Sequence, residues 1–342
     1  MFLTEKQERA LFLRAITTQA RIDSVARGSR ISQARIDSDG VNLYEDFRVR
    51  LSQVVREQFA DLIALDFVPM EPSEGFIAGS GSWIGQFLTA IGQAGFVSGQ
   101  STDLPLVSVD GATFTGKIAS YALAGQWSQE DIFRAAISST SIPIETMLAA
   151  RRGVETKTDE IISLGSAAHG ITGFLNASTV DVVLLTTGSW NTPGRTYNEV
   201  MLDFTSWIST LHGRVNDIST AKQDTVLLPS RMIYTLSGIY NTLGTKNAFQ
   251  GIQELAAGFG ITAIKPWWRL NTASTTGGQR MVAYKRSADC LGAIVPLPYM
   301  EFGLQERGIH LVRPAMASCG GVVVKQPKSI AYCDNVASGG GG

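Results

Sequence analysis

Between Gly75 and Gly125 the sequence carries only three charged side chains, Asp103, Asp110 and Lys117, in a stretch rich in glycine. It is broken into short alternating runs, Leu104–Val109 and Phe114–Leu123. Alternation at a period of two specifies strands, so this stretch predicts a long β-hairpin over residues 75–127. A two-stranded ribbon is marginal in water on its own. With so few charges, it is expected to lie against something else. The residues beyond the hairpin constrain the chain further. Ser128, with Gln129, Glu130 and Asp131 filling the first turn, opens a short helix through Phe133 and Ile137, because acidic groups there complement free backbone N–H groups. A second start comes at Ser141, with Pro143 in the first turn, where its missing N–H costs nothing. The helix through Met147, Leu148, Val154, Ile161 and Ile162 runs to Gly165, about 35 Å. Its stretch from Arg151 to Glu160 is strongly polar, so it is predicted to lie across a subunit rather than inside one.

On either side of this hairpin-and-helix unit the texture differs. Residues 1–40 form a basic extension: up to Arg35, Lys6, Arg9, Arg14, Arg21, Arg27, Arg30 and Arg35 face only Glu5, Glu8 and Asp23. Thr4 and Gln7 make a capping box for a helix ending near Gly28, and Gln19–Ser24 is repeated as Gln33–Ser38. Residues 41–74 hold an arm helix through Phe47, Leu51, Val54, Val55, Phe59, Leu62 and Ile63, stopped before Pro69 and Pro72. Residues 166–298 read as one layered α+β domain. Thr196 and Glu199 cap a helix whose Val200, Phe204, Trp207, Ile208 and Leu211 share a face. Thr225–Leu228, Ile261–Ile264 and Arg280–Tyr284 are expected strands, and Pro229–Leu243 and Ala248–Ala257 expected helices. Pro296 and Pro298 mark a boundary, after which Ile309–Arg313 and Gly321–Lys325 are strands of a final unit, 299–337, and residues 338–342 a flexible glycine tail.

The chemistry-bearing residues do not gather into a motif. Gly111, Gly116 and Lys117 fit the core of a phosphate-binding loop, but Ile118 stands where a magnesium-binding Ser or Thr belongs and the run continues as a strand. Gly79, Gly81 and Gly85 miss the dinucleotide fingerprint by one residue. His169, His212 and His310 are scattered, without a zinc-protease or nucleophile-elbow pattern. Cys290, Cys319 and Cys333 form no CxxC pair, so neither a disulfide framework nor a zinc knuckle is expected, and a reducing compartment is the simpler setting. Asn176-Ala177-Ser178 is a glycosylation sequon without meaning there. Trp267 and Trp268 are expected to fill a core or an interface. With 29 basic and 30 acidic residues the net charge of −1 gives no footprint for a dedicated nucleic-acid binder. Only 17% of residues are charged, against about 25% in ordinary globular proteins. That deficit fits a surface largely buried in an assembly. No catalytic, cofactor-binding or metal-binding residues are assigned, no membrane span or signal peptide is expected, and the chain is read as structural rather than enzymatic.

Several runs carry a resemblance. Trp127–Ile162, with its acidic-capped short helix, the Ser141–Pro143 start and the Ala149-Ala150-Arg151-Arg152 stretch, is similar to the spine-helix entry of tailed-bacteriophage major capsid proteins of the Hong Kong 97 type. Gly170–Asn176 resembles that family's link into its axial domain, and Thr225–Ser230, Met281–Lys285 and Gly320–Asp334 resemble its later strand motifs. The resemblance covers roughly residues 44–336. It implies an α+β capsid fold: N-terminal arm, extended β-hairpin loop (75–127), peripheral domain with the spine helix (128–165), axial domain (166–298) and return strands (299–337).

The implied function is that of a shell subunit. It would self-assemble as pentamers and hexamers into an icosahedral shell around double-stranded DNA, contacted non-specifically, within a virion built in the host cytoplasm. Implied partners are further copies of the chain, a scaffolding protein and a portal, with a decoration protein as a further partner; either a separate scaffolding protein is used or the basic segment 1–40 docks one. One rival within the fold is an encapsulin-like nanocompartment shell protein. A rival from another class is a nucleotide-binding enzyme using Gly111–Lys117.

Overall fold

The computed structural model describes residues 61–71, 79–91, 108–138, 142–185, 187–215, 220–275, 277–334 and 336. The expected basic extension, its repeat, nearly all of the arm helix, the segment 92–107 and the glycine tail lie outside the described residues.

The chain enters through a strap. A one-turn helix, α1 (Ala64–Phe67), is followed by a bridge from Met70 to Ala293. Strands β1 (Ser82–Ile91) and β2 (Ser108–Lys117) pair antiparallel over ten residues each, forming the expected hairpin. Strand β3 (Ala119–Ser128) comes after one residue but belongs to another sheet. The run Phe114–Leu123, expected as one strand, thus divides at Ile118 between two sheets. A strand's own periodicity cannot reveal such a division, because alternation says which face a residue occupies and nothing about its neighbour.

Helix α2 (Gln129–Ser138) starts as the sequence predicts, with the Ser128 hydroxyl accepting from the Asp131 N–H at 3.1 Å and Asp131 accepting in return from the Ser128 N–H at 3.0 Å. The spine helix α3 (Ile142–Leu164) has the expected 23 residues. It ends in a tight elbow made of β4 (Gly165–Ser166) and β5 (Ile171–Thr172).

The next sheet collects β6 (Val182–Leu184), β7 (Thr225–Pro229), β8 (Ala263–Trp267), β9 (Arg280–Tyr284) and β15 (Ile330–Asp334) in the order β6-β15-β9-β7-β8. Every residue of β7, β9 and β15 is buried. The alternation of side chains divides them between two cores. Leu227, Val282, Tyr284, Ile330 and Tyr332 pack with Trp267 of β8 and with Ile161, Ile162 and Phe174 from the spine-helix end and elbow. Val226, Leu228, Met281, Ala283 and Cys333 pack on the opposite face with helices α4 (Tyr197–Arg214), α5 (Ser230–Ser237) and α6 (Ala248–Gly258). Helix α4 has the predicted capping box of Thr196 and Glu199, and its Val200, Phe204, Trp207, Ile208 and Leu211 are all buried.

Three boundaries differ from expectation. The helix expected over Pro229–Leu243 stops at Ser237 because Gly238 comes next and Asn241 closes its own turn, its Oδ1 accepting from the Thr245 N–H at 2.9 Å. The strand expected at Ile261–Ile264 runs instead through Ala263–Trp267 and includes Pro266, which β8 tolerates as an edge strand. The strand expected at Ile309–Arg313 is ten residues long, β13 (His310–Cys319), continuing past Pro314. Strands β11 (Leu297–Glu301) and β12 (Gln305–Arg307) share one side of β13, with the register shifting between Leu297 and Met300, while β3 takes the other side over ten unbroken pairs. A last antiparallel pair joins β10 (Leu291–Ile294) to β14 (Gly321–Val324).

Candidate assembly surfaces

For a chain whose sequence offers surfaces rather than chemistry, the site to build is the set of exposed elements and whatever holds them in place. The hairpin is fixed at its foot by two reciprocal cross-strand pairs: Trp83 lies opposite Gly116 and Phe114 opposite Gly85. Each ring covers the glycine across from it, so a Cβ at either glycine would collide with the aromatic ring. The two rings meet edge to face, centroids 5.6 Å apart. Aromatic rings over glycine are a recognised way to pin register in a strand pair. Farther along the hairpin Ile84 is 70% and Val109 63% exposed.

The spine helix is seated on β3 by small-to-large contacts. Leu123 fills the space left by Gly153, Met147 fills that left by Gly125, and the Tyr121 hydroxyl meets Thr158 at 2.5 Å. Burial pushes the Tyr121 hydroxyl above its ordinary range, so it stays protonated and serves as a strut. The polar middle of the helix, expected to face outward, does so in part: Arg151 pairs with Glu155 and Lys157 with Glu160 on the surface. Asp159 is different. It is buried, takes the Ala64 N–H at the start of α1 at 2.8 Å and holds the Arg269 guanidinium at 2.6 Å, tying strap, spine and sheet together.

At the elbow, the Asn176 side chain accepts from the Gly173 N–H at 2.9 Å and donates to the Leu164 carbonyl at the helix end. Gly165 has φ +72°, and a Cβ at Gly173 would strike the backbone of Gly165 and Leu164. The Gly170–Asn176 run is therefore the chemistry of a helix stop in which two backbone segments touch. The Asn176 sequon residue is committed to this cap. Beneath it, Arg280 and Asp334, opposite each other on β9 and β15, form a buried two-pronged ion pair at 2.5 and 2.8 Å. The Arg280 guanidinium also donates to the Leu175 carbonyl and lies 4.5 Å from the Tyr332 ring. Burial alone would raise the Asp334 carboxyl, but the hydrogen bonds and charge of Arg280, with the Thr275 N–H and hydroxyl, outweigh it and hold the group below the usual range.

Among the described residues, apolar side chains are also exposed in two further places. One surrounds a cleft of about 310 Å³ between Trp127, Pro143, Ile144, Met147 and Leu148, rimmed by Arg151, Glu301 and Arg313. The other is the far end of the α5 region, where Tyr234 and Leu243 are among the most exposed large side chains. Sequence reasoning missed both, because an apolar residue at helical spacing reads as core unless its neighbours are known.

The motif residues tested in the sequence fall elsewhere. Gly111, Gly116 and Lys117 lie within β2, paired residue by residue with β1 through Leu88, Trp83 and Ser82. A straight strand has no loop or helix start to cradle a phosphate. His169 bonds Ser166 at 2.9 Å beside the elbow, His212 is buried against Phe259 in the α4 region, and His310 opens β13 on the surface. Trp267 is core as expected, edge to face with Phe67 at 5.1 Å, while Trp268 lies at the surface under the Arg269 guanidinium. Cys290, Cys319 and Cys333 are buried free thiols, and burial pushes each of them up, Cys319 to about 11. Among the described residues no group of three His, Cys, Asp or Glu could hold a metal ion, and no helix is long and apolar enough to cross a membrane.

A long spine helix, a projecting hairpin and a sheet buried on both faces define the Hong Kong 97-like capsid fold, and solved structures bear this out. The capsid of Myoviridae phage XM1 superposes with a TM-score of 0.72 at 16% identity, over 86% of this chain and 99% of that one. The capsid of a native GTA particle gives 0.60 at 12% identity, over 88% and 100%, and that of Microbacterium phage Oxtober96 gives 0.60 at 12%, over 87% and 99%. No curated protein matches the sequence. The family model for major capsid proteins matches residues 92–336, well over half of the chain, and the chain belongs to that family. This is the family the resemblance implied. It does not favour the encapsulin-like reading.

Proposed function

We propose that the chain is the shell subunit of a tailed bacteriophage, assembling as pentamers and hexamers into an icosahedral shell around double-stranded DNA. The family match over residues 92–336 carries the reading. The hairpin adds support, since a two-stranded ribbon exposing Ile84 and Val109 gains burial from another molecule. In this reading the β1–β2 hairpin is the extended loop, the spine helix with β3 and β13 is the peripheral domain, and residues 166–298 with β15 are the axial domain, with Tyr234 and Leu243 turned toward neighbours. No chemistry is assigned to it: it works by geometry, within a virion assembled in the host cytoplasm. A scaffolding protein meeting the basic residues 1–40, a portal and a decoration protein are the partners this role calls for.

The test is to express the chain alone and follow it by sedimentation and negative-stain microscopy. Rings, tubes or shells are expected. A subunit that stays monomeric at high concentration, with and without a co-expressed scaffold, would overturn the reading. Shells recovered with a protein cargo and no nucleic acid would favour the compartment instead.

A further inference from the structure

A second cleft, of about 210 Å³, lies between the foot of the hairpin and the elbow. The hairpin ladder fixes what β2 turns toward it. The Ile118 N–H donates to the Gly81 carbonyl at 3.0 Å, one step beyond the pair of Ser82 and Lys117, so Gly81 and Ile118 face each other across the ladder. Alternation then turns the main-chain groups of Lys117 and Thr115 away from β1. Both residues line the cleft, and among the described residues no strand pairs with β2 on that side.

Side chains add further donors. The Trp83 ring lies over Gly116, and its indole N–H is buried without a hydrogen-bond partner among the described residues. The Lys117 stem rests on Gly170 of the elbow, its Nζ 3.7 Å from where a Cβ would stand. Neither Lys117 nor the hydroxyls of Ser178 and Thr179, which also line the cleft, make a hydrogen bond or ion pair among the described residues. None of the residues around the cleft is acidic. A buried N–H is normally paired, so one left open beside an uncommitted ammonium group marks the place of a bound acceptor.

We propose that this cleft binds one small oxyanion of the phosphate type, held by the Lys117 ammonium, the Trp83 indole N–H, the outward N–H groups of β2 and the Ser178 and Thr179 hydroxyls. The volume lies below the roughly 300 Å³ at which sites for larger organic ligands begin, so the ligand is a free ion rather than a nucleotide. Nor is this a phosphate-binding loop: the lysine comes from the end of a strand, and the other donors come from β1, the β2 edge and the residues after the elbow. Occupied, the site ties the hairpin foot to the elbow. It is complete within one subunit, so it stands whether or not copies assemble.

Equilibrium dialysis of the unassembled full chain against radiolabelled inorganic phosphate, at fixed ionic strength, tests this. The parent should take up one phosphate per chain. Lys117→Met keeps the stem and removes the charge, and Trp83→Phe keeps a ring over Gly116 and removes the N–H. Each should weaken binding about tenfold or more, the scale of one charge-assisted hydrogen bond. Lys117→Arg should restore most of the loss, and Lys246→Met, at a lysine outside the cleft, should bind as the parent does. Phosphate should also slow hydrogen exchange at Thr115 and Lys117 in the parent and not at Thr115 in Lys117→Met, a readout that stands even if Trp83→Phe fails to fold. A parent that takes up no phosphate would overturn the site and leave the shell reading untouched. So would Lys117→Met and Lys246→Met binding equally, since the ion would then be answering general surface charge.

Discussion

The five-stranded sheet and the β1–β2–β3 region are built from similar residues to opposite ends. In the sheet, β7, β9 and β15 are buried on both faces, its short edge is three residues long and its other edge carries a proline. In the hairpin and β3, ten-residue strands without prolines leave the apolar side chains Ile84, Val109 and Leu123 exposed. One region completes its burial and hydrogen bonding inside the subunit. The other leaves apolar side chains exposed on the subunit. Stability and assembly should therefore respond to different substitutions, and the comparison can be broken by finding one that moves the wrong quantity.

The largest effect belongs to the finished sheet. Arg280→Ala leaves the buried Asp334 charge without its cation, and removing one partner of such a pair costs about 3–5 kcal/mol. Denaturant unfolding of the unassembled subunit should show that loss; a change below about 1 kcal/mol would mean that the sheet is not where the subunit's stability lies. The same pair gives the sign of an acid dependence. Because the folded Asp334 carboxyl is held below its ordinary value of 3.8, its contribution is present above that pH and is lost as pH falls through the lower folded value. Asp334→Asn should flatten the acid limb of the stability curve below about pH 4, and an unchanged limb would remove the pair from this role.

Next in size is the elbow, where the two regions join. A methyl at Gly173 meets the backbone of Gly165 and Leu164, which cannot rotate aside as a side chain can. Gly173→Ala should cost roughly 1–3 kcal/mol in unfolding, the range of overpacked sites. If the elbow were a loose hinge rather than a packed joint, the substitution would be neutral.

How far the sequence discloses this architecture depends on the same division. Periodicity and capping find what is local. The spine helix from Ile142 to Leu164, the capped helix at Tyr197 and the strand at Arg280–Tyr284 stand where their residues place them. What escapes is pairing. Nothing in Ala119–Ser128 indicates that its partner lies near residue 315 rather than in the hairpin, because that choice is made by long-range contacts. Prolines mislead in the same way. Pro266, Pro298 and Pro314 look like strand breaks, yet Pro266 sits on an edge, Pro298 at a register shift and Pro314 with its main-chain groups turned to the irregular side of β13. The exposure of the hairpin is legible as a shortage of charge and a glycine-rich alternation between Gly75 and Gly125.

The smallest effect on stability is expected in the hairpin, and it is the sharpest test of the division. At Gly116 a methyl enters the space of the Trp83 indole, which is a half-buried side chain rather than backbone and can shift aside. Gly116→Ala should therefore leave the unfolding free energy within about 0.5 kcal/mol, the scale of surface substitutions. The edge-to-face contact of Trp83 with Phe114 should be lost, read as the near-ultraviolet dichroism difference between the variant and its Trp83→Phe counterpart. With the foot unpinned, the hairpin approaches a neighbour from a spread of angles, and the ordering falls on the assembly step. Assembly should slow while the subunit's melting temperature holds. A variant that melts early but assembles at the parent's rate would reverse the assignment, making the hairpin part of the finished subunit.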